Sequence, residues 1–431
     1  MSQPSFRGII ANINRDQLIG PTDSPSNDAP YITNCRTLAS YNWLDRVKPT
    51  MLVPGSPPAW TPLKKSITLS EDSGTYFRDK NAARFASYPL QPAMEAIIKQ
   101  DPGFDLDSVD LVACGSTLGN LLCFVRGLDV KFRILVEAVG STVFFLRRDG
   151  SPTDVIPGVR GFGHTFPESY TSWDRAVKGS ESHQRIVQYR FGDVECVVRF
   201  EADGYLPDRC DEQTSAPDTS ANDHSALPSL LQQTTVSSHE PEDTTSLTIL
   251  DGGHSIPQAA IFDLKTRSFK RKDDDILAEI VPRLWVSQIP NSVLAFHRYG
   301  KFHDIRIQDT RPAIQAWEQK ESETLRQFHG LLGQLIGFVH GQPDGRFEIV
   351  REERGDSLEL REVTPRVNHV IPDELKEQLF ARFYDAVEDT GDLSDRYAED
   401  EDGSPSCDSE SEKDFTACSA SSCGYCGRCG Y

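Results

Sequence analysis

The segment Val194-Glu195-Cys196-Val197-Val198-Arg199-Phe200-Glu201-Ala202-Asp203 constrains the fold more than any other part of the chain. Read as a strand, its side chains alternate between two faces. Glu195, Val197, Arg199, Glu201 and Asp203 share one face, and Cys196, Val198, Phe200 and Ala202 line the other. An apolar row of this kind must be buried against a second layer, so the segment predicts a sheet over a core with two carboxylates side by side at its end. A second segment, Ala260-Ile261-Phe262-Asp263-Leu264-Lys265-Thr266, repeats the arrangement, with Asp263 and Lys265 on one face and Ala260, Phe262 and Leu264 on the other. If the two strands are neighbours, three carboxylates and one ammonium converge, a donor set that suits a hard, oxygen-ligated cation such as Mg²⁺ or Mn²⁺. Phosphodiester hydrolysis uses such an ion to polarise a phosphoryl oxygen and acidify a bound water, with Lys265 placed to orient that water or to stabilise developing charge. The same alternation also describes a solvated face crossed by strand-to-strand ion pairs.

The rest of the chain predicts an α/β or α+β fold, a central mixed β-sheet flanked by helices. The apolar runs 121–125, 132–136 and 143–146, punctuated by Gly127 and by Gly140-Ser141, read as consecutive strands. From Asp274 to Gln288, apolar residues at Ile276, Leu277, Ile280, Leu284 and Trp285 mark a helix that Pro282 should kink or end. Ser292 to His297 and His303 to Gln308 form an expected hairpin turning at Tyr299-Gly300-Lys301, and helical spacing returns at 312–340 and 372–387.

Hydrophobic residues make up 38% of the chain, low for a fully folded one, and the shortfall is local. Residues 1–30 are expected to be a flexible arm, 31–388 one domain interrupted by a disordered Ser/Thr/Pro-rich insertion at about 208–246, and 389–431 a disordered acidic tail rich in Cys. A net charge of -20 argues against a broad basic footprint for duplex nucleic acid, so any RNA contact must be local. Arg267, Lys270, Arg271 and Lys272, directly after the second strand, supply such a local cluster, and Arg199 lies beside the first pair of carboxylates. No signal peptide or membrane-spanning stretch is visible, and the 10 cysteines are not laid out as a disulfide scaffold, so a nuclear or cytoplasmic, non-secreted protein without a membrane partner is expected. Cys418, Cys423, Cys426 and Cys429 have a spacing able to hold Zn²⁺, although a mobile tail with adventitious metal binding fits them as well.

In their order along the chain these segments resemble the PD-(D/E)XK nucleases, and among them the eukaryotic decapping exoribonuclease family called DXO. The resemblance covers Asp110 to Trp317, about half the chain. It runs through Gly163-His164-Thr165-Phe166-Pro167-Glu168, Glu201-Ala202-Asp203, Asp263-Leu264-Lys265-Thr266 and Leu284-Trp285-Val286-Ser287-Gln288. It implies Glu168, Glu201, Asp203 and Asp263 as metal-site carboxylates, with the Leu264 carbonyl as a further ligand. It implies Lys265, Gln288 and Glu201 as the residues nearest the chemistry. An RNA substrate, action at 5′ ends and a protein partner such as an exoribonuclease also follow from the resemblance alone.

The chain departs from that pattern at Asp263, where the family usually has Glu, and at Cys114, where it has an arginine before the glycine. The alternative is therefore a protein of this fold without catalysis, serving as an RNA- or protein-binding module.

Overall fold

Strands that must be covered on both sides set the architecture. In the computed structural model, Leu111–Cys114 and Thr142–Arg147 are buried along their whole length, and Val194–Glu201 is buried at all but its two glutamates. Such strands need a layer on each face. The structure describes residues 8–18, 30–148 apart from 75, 77–79 and 86, 159–210, and 246–379 apart from 353, 354, 356 and 366. Most of the expected insertion, the acidic tail and Cys418, Cys423, Cys426 and Cys429 lie outside the described residues.

In chain order the first strands are β1 (Ile9–Asn14), β2 (Ile32–Leu44), β3 (Thr50–Gly55), β4 (Ala59–Trp60), β5 (Leu111–Cys114), β6 (Phe132–Val139), β7 (Thr142–Arg147) and β8 (Thr171–Ser172). Then follow β9 (Ser180–Phe191), β10 (Val194–Glu201), β11 (Gly204–Tyr205), β12 (Thr248–Gly253), β13 (Ile261–Ser268), β14 (Asn291–Arg298), β15 (Lys301–Asp309), β16 (Arg346–Arg351) and β17 (Ser357–Arg361). The helices are α1 (Lys80–Arg84), α2 (Gln91–Gln100), α3 (Gly115–Val125), α4 (Thr165–Tyr170), α5 (Ile276–Ser287), α6 (Arg311–Lys320) and α7 (Ser322–His340).

Among the described residues the strands form two mixed sheets. The larger has the order β1-β17-β16-β6-β7-β5-β10-β9-β2-β3-β12, and the smaller has β15-β14-β13-β11-β4-β8. On one face of the large sheet, Cys196, Val198 and Phe200 of β10 pack into a core shared with α3, α5 and α7 and with Leu294 and Phe296 of the small sheet. On the other face, Val197 joins α2, Tyr41, Trp43 and the segment around Val370 and Leu375. Each fully buried Leu, Phe or Val in such a core contributes about 1.5–3 kcal/mol.

Four sequence expectations change here. The run 121–125 is the end of α3, not a strand, because α3 is apolar on nearly every side and is enclosed between the sheet and other helices. A short apolar run has no period by which strand and buried helix differ. The arm 1–30 contains β1, which pairs antiparallel with β17 at the sheet edge and packs Ala11 and Ile13 on the core. At the start of the insertion, Pro207–Arg209 form a 3₁₀ turn. Finally, α5 continues through Pro282, capped at its start by the Asp275 carboxylate, which accepts from the Ala278 N–H at 3.0 Å. The hairpin turns at Tyr299 and Gly300, both at positive φ. Residues 373–379 are helical, and 380–387 lie outside the described residues.

Trp285 anchors α5 to the core. It is 1% exposed, lies 5.3 Å from the rings of both Phe191 and Trp317, and donates its indole N–H to Glu318 at 2.7 Å. Trp285→Ala is expected to cost about 3–5 kcal/mol, read as a lowered urea midpoint. A loss below about 1 kcal/mol, the range of a surface substitution, would show that this helix is not seated as described.

Candidate active site

The two sheets meet where the chain leaves one for the other. β10 ends at Glu201, Ala202 remains in the core, and two residues later the chain is β11, a strand of the small sheet. β11 pairs antiparallel with β13 in the register Gly204↔Phe262 and Tyr205↔Ile261, so the preceding residue, Asp203, falls opposite Asp263. Asp203 is fixed there by the Leu264 N–H, which donates to its Oδ2 at 2.7 Å. Gly204 permits the close approach. A Cβ at that position would stand 2.8 Å from the Pro58 carbonyl oxygen and 2.4 Å from the Phe262 ring.

Asp263 is 1% exposed, and both of its carboxylate oxygens are buried without a hydrogen-bond partner. Two cations stand near it: Lys265 Nζ at 3.5 Å and Arg283 Nη2, from α5, at 3.4 Å, both measured to Oδ1. The neighbouring strand β14 places Ser292 beside Asp263, and its hydroxyl is likewise buried without a hydrogen-bond partner. Burial pushes the Asp203 carboxyl up to about 6; the Asp263 charge adds to the rise, and Lys265, Arg283 and the Leu264 N–H oppose it. Buried acceptors left without donors are costly, and a bound cation satisfies them at once.

The structure thus brings together Asp203, Asp263, Lys265 and the N–H of Leu264, and adds Arg283, which the sequence reading missed. Glu201 closes β10, paired with Gln184. Glu168 is exposed on α4. Among the described residues no three His, Cys, Asp or Glu side chains form a group able to hold a metal, so the expected convergence of three carboxylates is here a pair of carboxylates with two cations. β10 ends at Glu201, and Asp203 lies beyond it at the crossing to β11, opposite Asp263.

Gln288 caps α5 in the left-handed conformation. Its Nε2 donates to the Trp285 carbonyl at 2.6 Å, and its own carbonyl accepts from Gln258 Nε2 at 2.9 Å. The expected substrate contacts are mostly committed elsewhere. Arg199 is buried, donating to Gln184 Oε1 at 2.8 Å and lying 3.0 Å from Cys114 Sγ. Arg271 is paired with Asp274 and Glu279, and Arg267 donates to the Thr266 carbonyl. Lys270 is exposed.

Comparison with known proteins places the chain. A family model described as "Domain of unknown function (DUF8563)" matches residues 8–380. The chain belongs to the DUF8563 family. No curated protein matches this DUF8563 member. Solved structures resemble it in fold. Rai1 of S. pombe, in complex with 3'-FADP, is 11% identical with a TM-score of 0.54 over 82% of this chain and 99% of that one. Rai1 of Scheffersomyces stipitis, in complex with (3'-NADP)+ and calcium ion, is 10% identical with a TM-score of 0.54 over 88% and 100%. Rai1 of Candida albicans, in complex with pU5-Mn2+, is 11% identical with a TM-score of 0.52 over 83% and 98%. The DUF8563 member therefore has a Rai1-type fold, a mixed α+β architecture with central sheets flanked by helices.

A carboxyl raised in the folded state keeps its proton where the unfolded chain has lost it. Without a divalent ion, this group's contribution to stability therefore falls as pH rises from about 4 to about 6. Protons and a divalent ion compete for the same oxygens. Mn²⁺ should then raise the thermal midpoint more at pH 7 than at pH 5, and Asp203→Asn should remove that increment. A Mn²⁺ shift identical in the Asn variant would place the ion elsewhere.

Proposed function

We propose that this protein is a divalent-metal-dependent phosphodiesterase acting on RNA, at its 5′ end. The observation that carries this reading is the buried Asp203–Asp263 pair, with hydrogen-bond-free oxygens on Asp263 and two cations beside it, at the junction of two sheets in a Rai1-type fold. Asp203 and Asp263 would hold Mg²⁺ or Mn²⁺, with Glu201, Glu168 and the Leu264 carbonyl as the further candidates for its coordination sphere. The ion would supply an acidified water and a polarised phosphoryl oxygen. Lys265, anchored on β13 beside Asp263, would orient the nucleophile or meet the charge that develops on the phosphate. The Rai1 structures described with pU5-Mn2+ and with calcium support a divalent ion and a 5′-phosphorylated ligand as the first pair to test.

Exposed Lys270 and the partly buried Arg267 give local basic contacts for an RNA backbone. A protein partner such as an exoribonuclease, a nuclear or cytoplasmic location and zinc on the tail cysteines remain proposals that follow from the sequence. Among the described residues no helix is long and apolar enough to cross a membrane.

A second reading has an observation in its favour. No three-carboxylate group is assembled among the described residues, which suits a nuclease-fold protein that binds RNA without cutting it.

Purified full-length protein with Mn²⁺ and 5′-monophosphorylated RNA separates the two. Hydrolysis that falls by about 10²-fold or more in Asp203→Ala and in Lys265→Ala, with unchanged circular dichroism, supports the enzyme. RNA binding without any metal-dependent product supports the binding module, and equal residual hydrolysis in both variants assigns the activity to a contaminant.

A further inference from the structure

Arg185 is a buried cation without a counter-charge. It lies on β9, is 0% exposed, and donates from Nε to Gln258 Oε1 at 3.0 Å and from Nη2 to the Thr37 hydroxyl and the Ile256 carbonyl, both at 2.9 Å. All three partners are neutral, and Nη1 is buried with no hydrogen-bond partner. Burial pushes the guanidinium down to about 10, with Cys35 opposing, which leaves it charged at neutral pH. Among the described residues no carboxylate pairs with it. Buried charges are ordinarily paired, because taking one out of water without a partner is costly. Arg148, also buried, follows that rule with Glu348.

His183 stands two residues earlier, on the same face of β9, and is 1% exposed. Asn42 fixes where its proton sits. The Asn42 amide nitrogen donates to the Ser56 carbonyl at 2.8 Å, so its oxygen is the atom 2.5 Å from His183 Nδ1. Nδ1 therefore carries the proton and Nε2 the lone pair. Burial, with Arg185 beside it, holds the imidazole well below its usual range and so keeps it neutral. Nε2 is then a buried acceptor without a donor. One face of β9 thus presents a charged donor and a neutral acceptor, both unsatisfied. A water closes both bonds but leaves the charge uncompensated. Sulfate or chloride answers the charge but has no proton for Nε2. A protonated oxyanion answers both, its O⁻ accepting from Nη1 and its O–H donating to Nε2. We propose that Arg185 and His183 form a binding site for a small protonated oxyanion, of which hydrogen phosphate is the representative at neutral pH. Such an ion would join β9 to the segment leading into β13, since Arg185 holds Ile256 and Gln258, and Gln258 Nε2 donates to the Gln288 carbonyl at 2.9 Å. The site needs no metal and stands whether or not the chain cuts RNA.

Calorimetry and the thermal midpoint of the full chain test this, at neutral pH and fixed ionic strength, with phosphate, sulfate and chloride in turn. Phosphate in the low millimolar range should bind and raise the midpoint by about 2 °C or more. Sulfate and chloride, with no proton to donate, should raise it by less than about half as much. Arg185→Met should abolish the phosphate shift. His183→Phe should weaken phosphate by about tenfold, the size of one lost hydrogen bond, and leave sulfate as it was. Asp203→Asn should keep the phosphate shift, and its loss there would place the anion at the acidic pair and overturn the proposal. Equal shifts from phosphate and sulfate are general salt stabilisation and overturn it, as does a phosphate shift retained in Arg185→Met. No phosphate binding to the wild type leaves water as the occupant and also overturns it. If Arg185→Met does not fold, His183→Phe decides: a lost preference for phosphate over sulfate supports the site, and an unchanged preference overturns it.

Discussion

The passage of the chain from β10 to β11 is the constraint on which the candidate site depends. β10 is an interior strand of the large sheet, tied to β5 on one side and β9 on the other, and β11 is wedged between β4 and β13 of the small sheet. Only Ala202 and Asp203 separate them. The alanine stays in the shared core, so the aspartate has little freedom in where it emerges. It emerges opposite Asp263 because the short β11–β13 pairing sets the register, and the Leu264 N–H completes the placement. A carboxylate that belongs in effect to both sheets is held more rigidly than one on a loop, which is what preorganised chemistry requires.

Electrostatics then limits what this arrangement tolerates. Burial pushes the Asp203 carboxyl up to about 6, and the Asp263 charge adds to the rise, because two buried carboxylates next to each other resist ionising together. Lys265 and Arg283 offset part of that cost without quenching it, since the oxygens of Asp263 keep no hydrogen bond. The neighbourhood around Glu137 shows what a fully quenched buried carboxylate looks like in the same molecule. Glu137 is contacted by His369, Arg346 and Lys376 and accepts the Val370 N–H, and it ties the segment after β17 to β6. The contrast between Glu137 and Asp263 separates a carboxylate used for structure from one left open.

The alternating segments were the legible part of the sequence. Both strands and the Asp203, Asp263 and Lys265 grouping follow from a period of two, because an apolar row on one face leaves only one way to place the other. The crossing between sheets was not legible. Alternation carries through to Asp203 without any mark at Ala202, so a period of two gives no sign that the chain changes sheets there. The helix α3 was missed because a helix enclosed on all sides has no polar stripe to reveal its period, as the buried positions from Leu118 to Val125 show. Arg283 did carry a signal: an arginine at the i+3 position from Ile280 lies on the side of α5 reserved for the core, and a charge there needs a partner. It went unread because the apolar spacing of the helix was complete without it. The edge strand β1 was obscure for the opposite reason, since a half-exposed strand at a sheet margin has little hydrophobic contrast.

Gly204 carries a consequence beyond its own position. With the Pro58 carbonyl and the Phe262 ring filling the space where a side chain would begin, even a methyl group would push β11 off its neighbours. The separation of two acidic groups is thereby dictated by an atom that is missing from the residue next to one of them. A Gly-to-Ala change there would disturb the spacing of Asp203 and Asp263 while every polar side chain of the candidate site stayed intact.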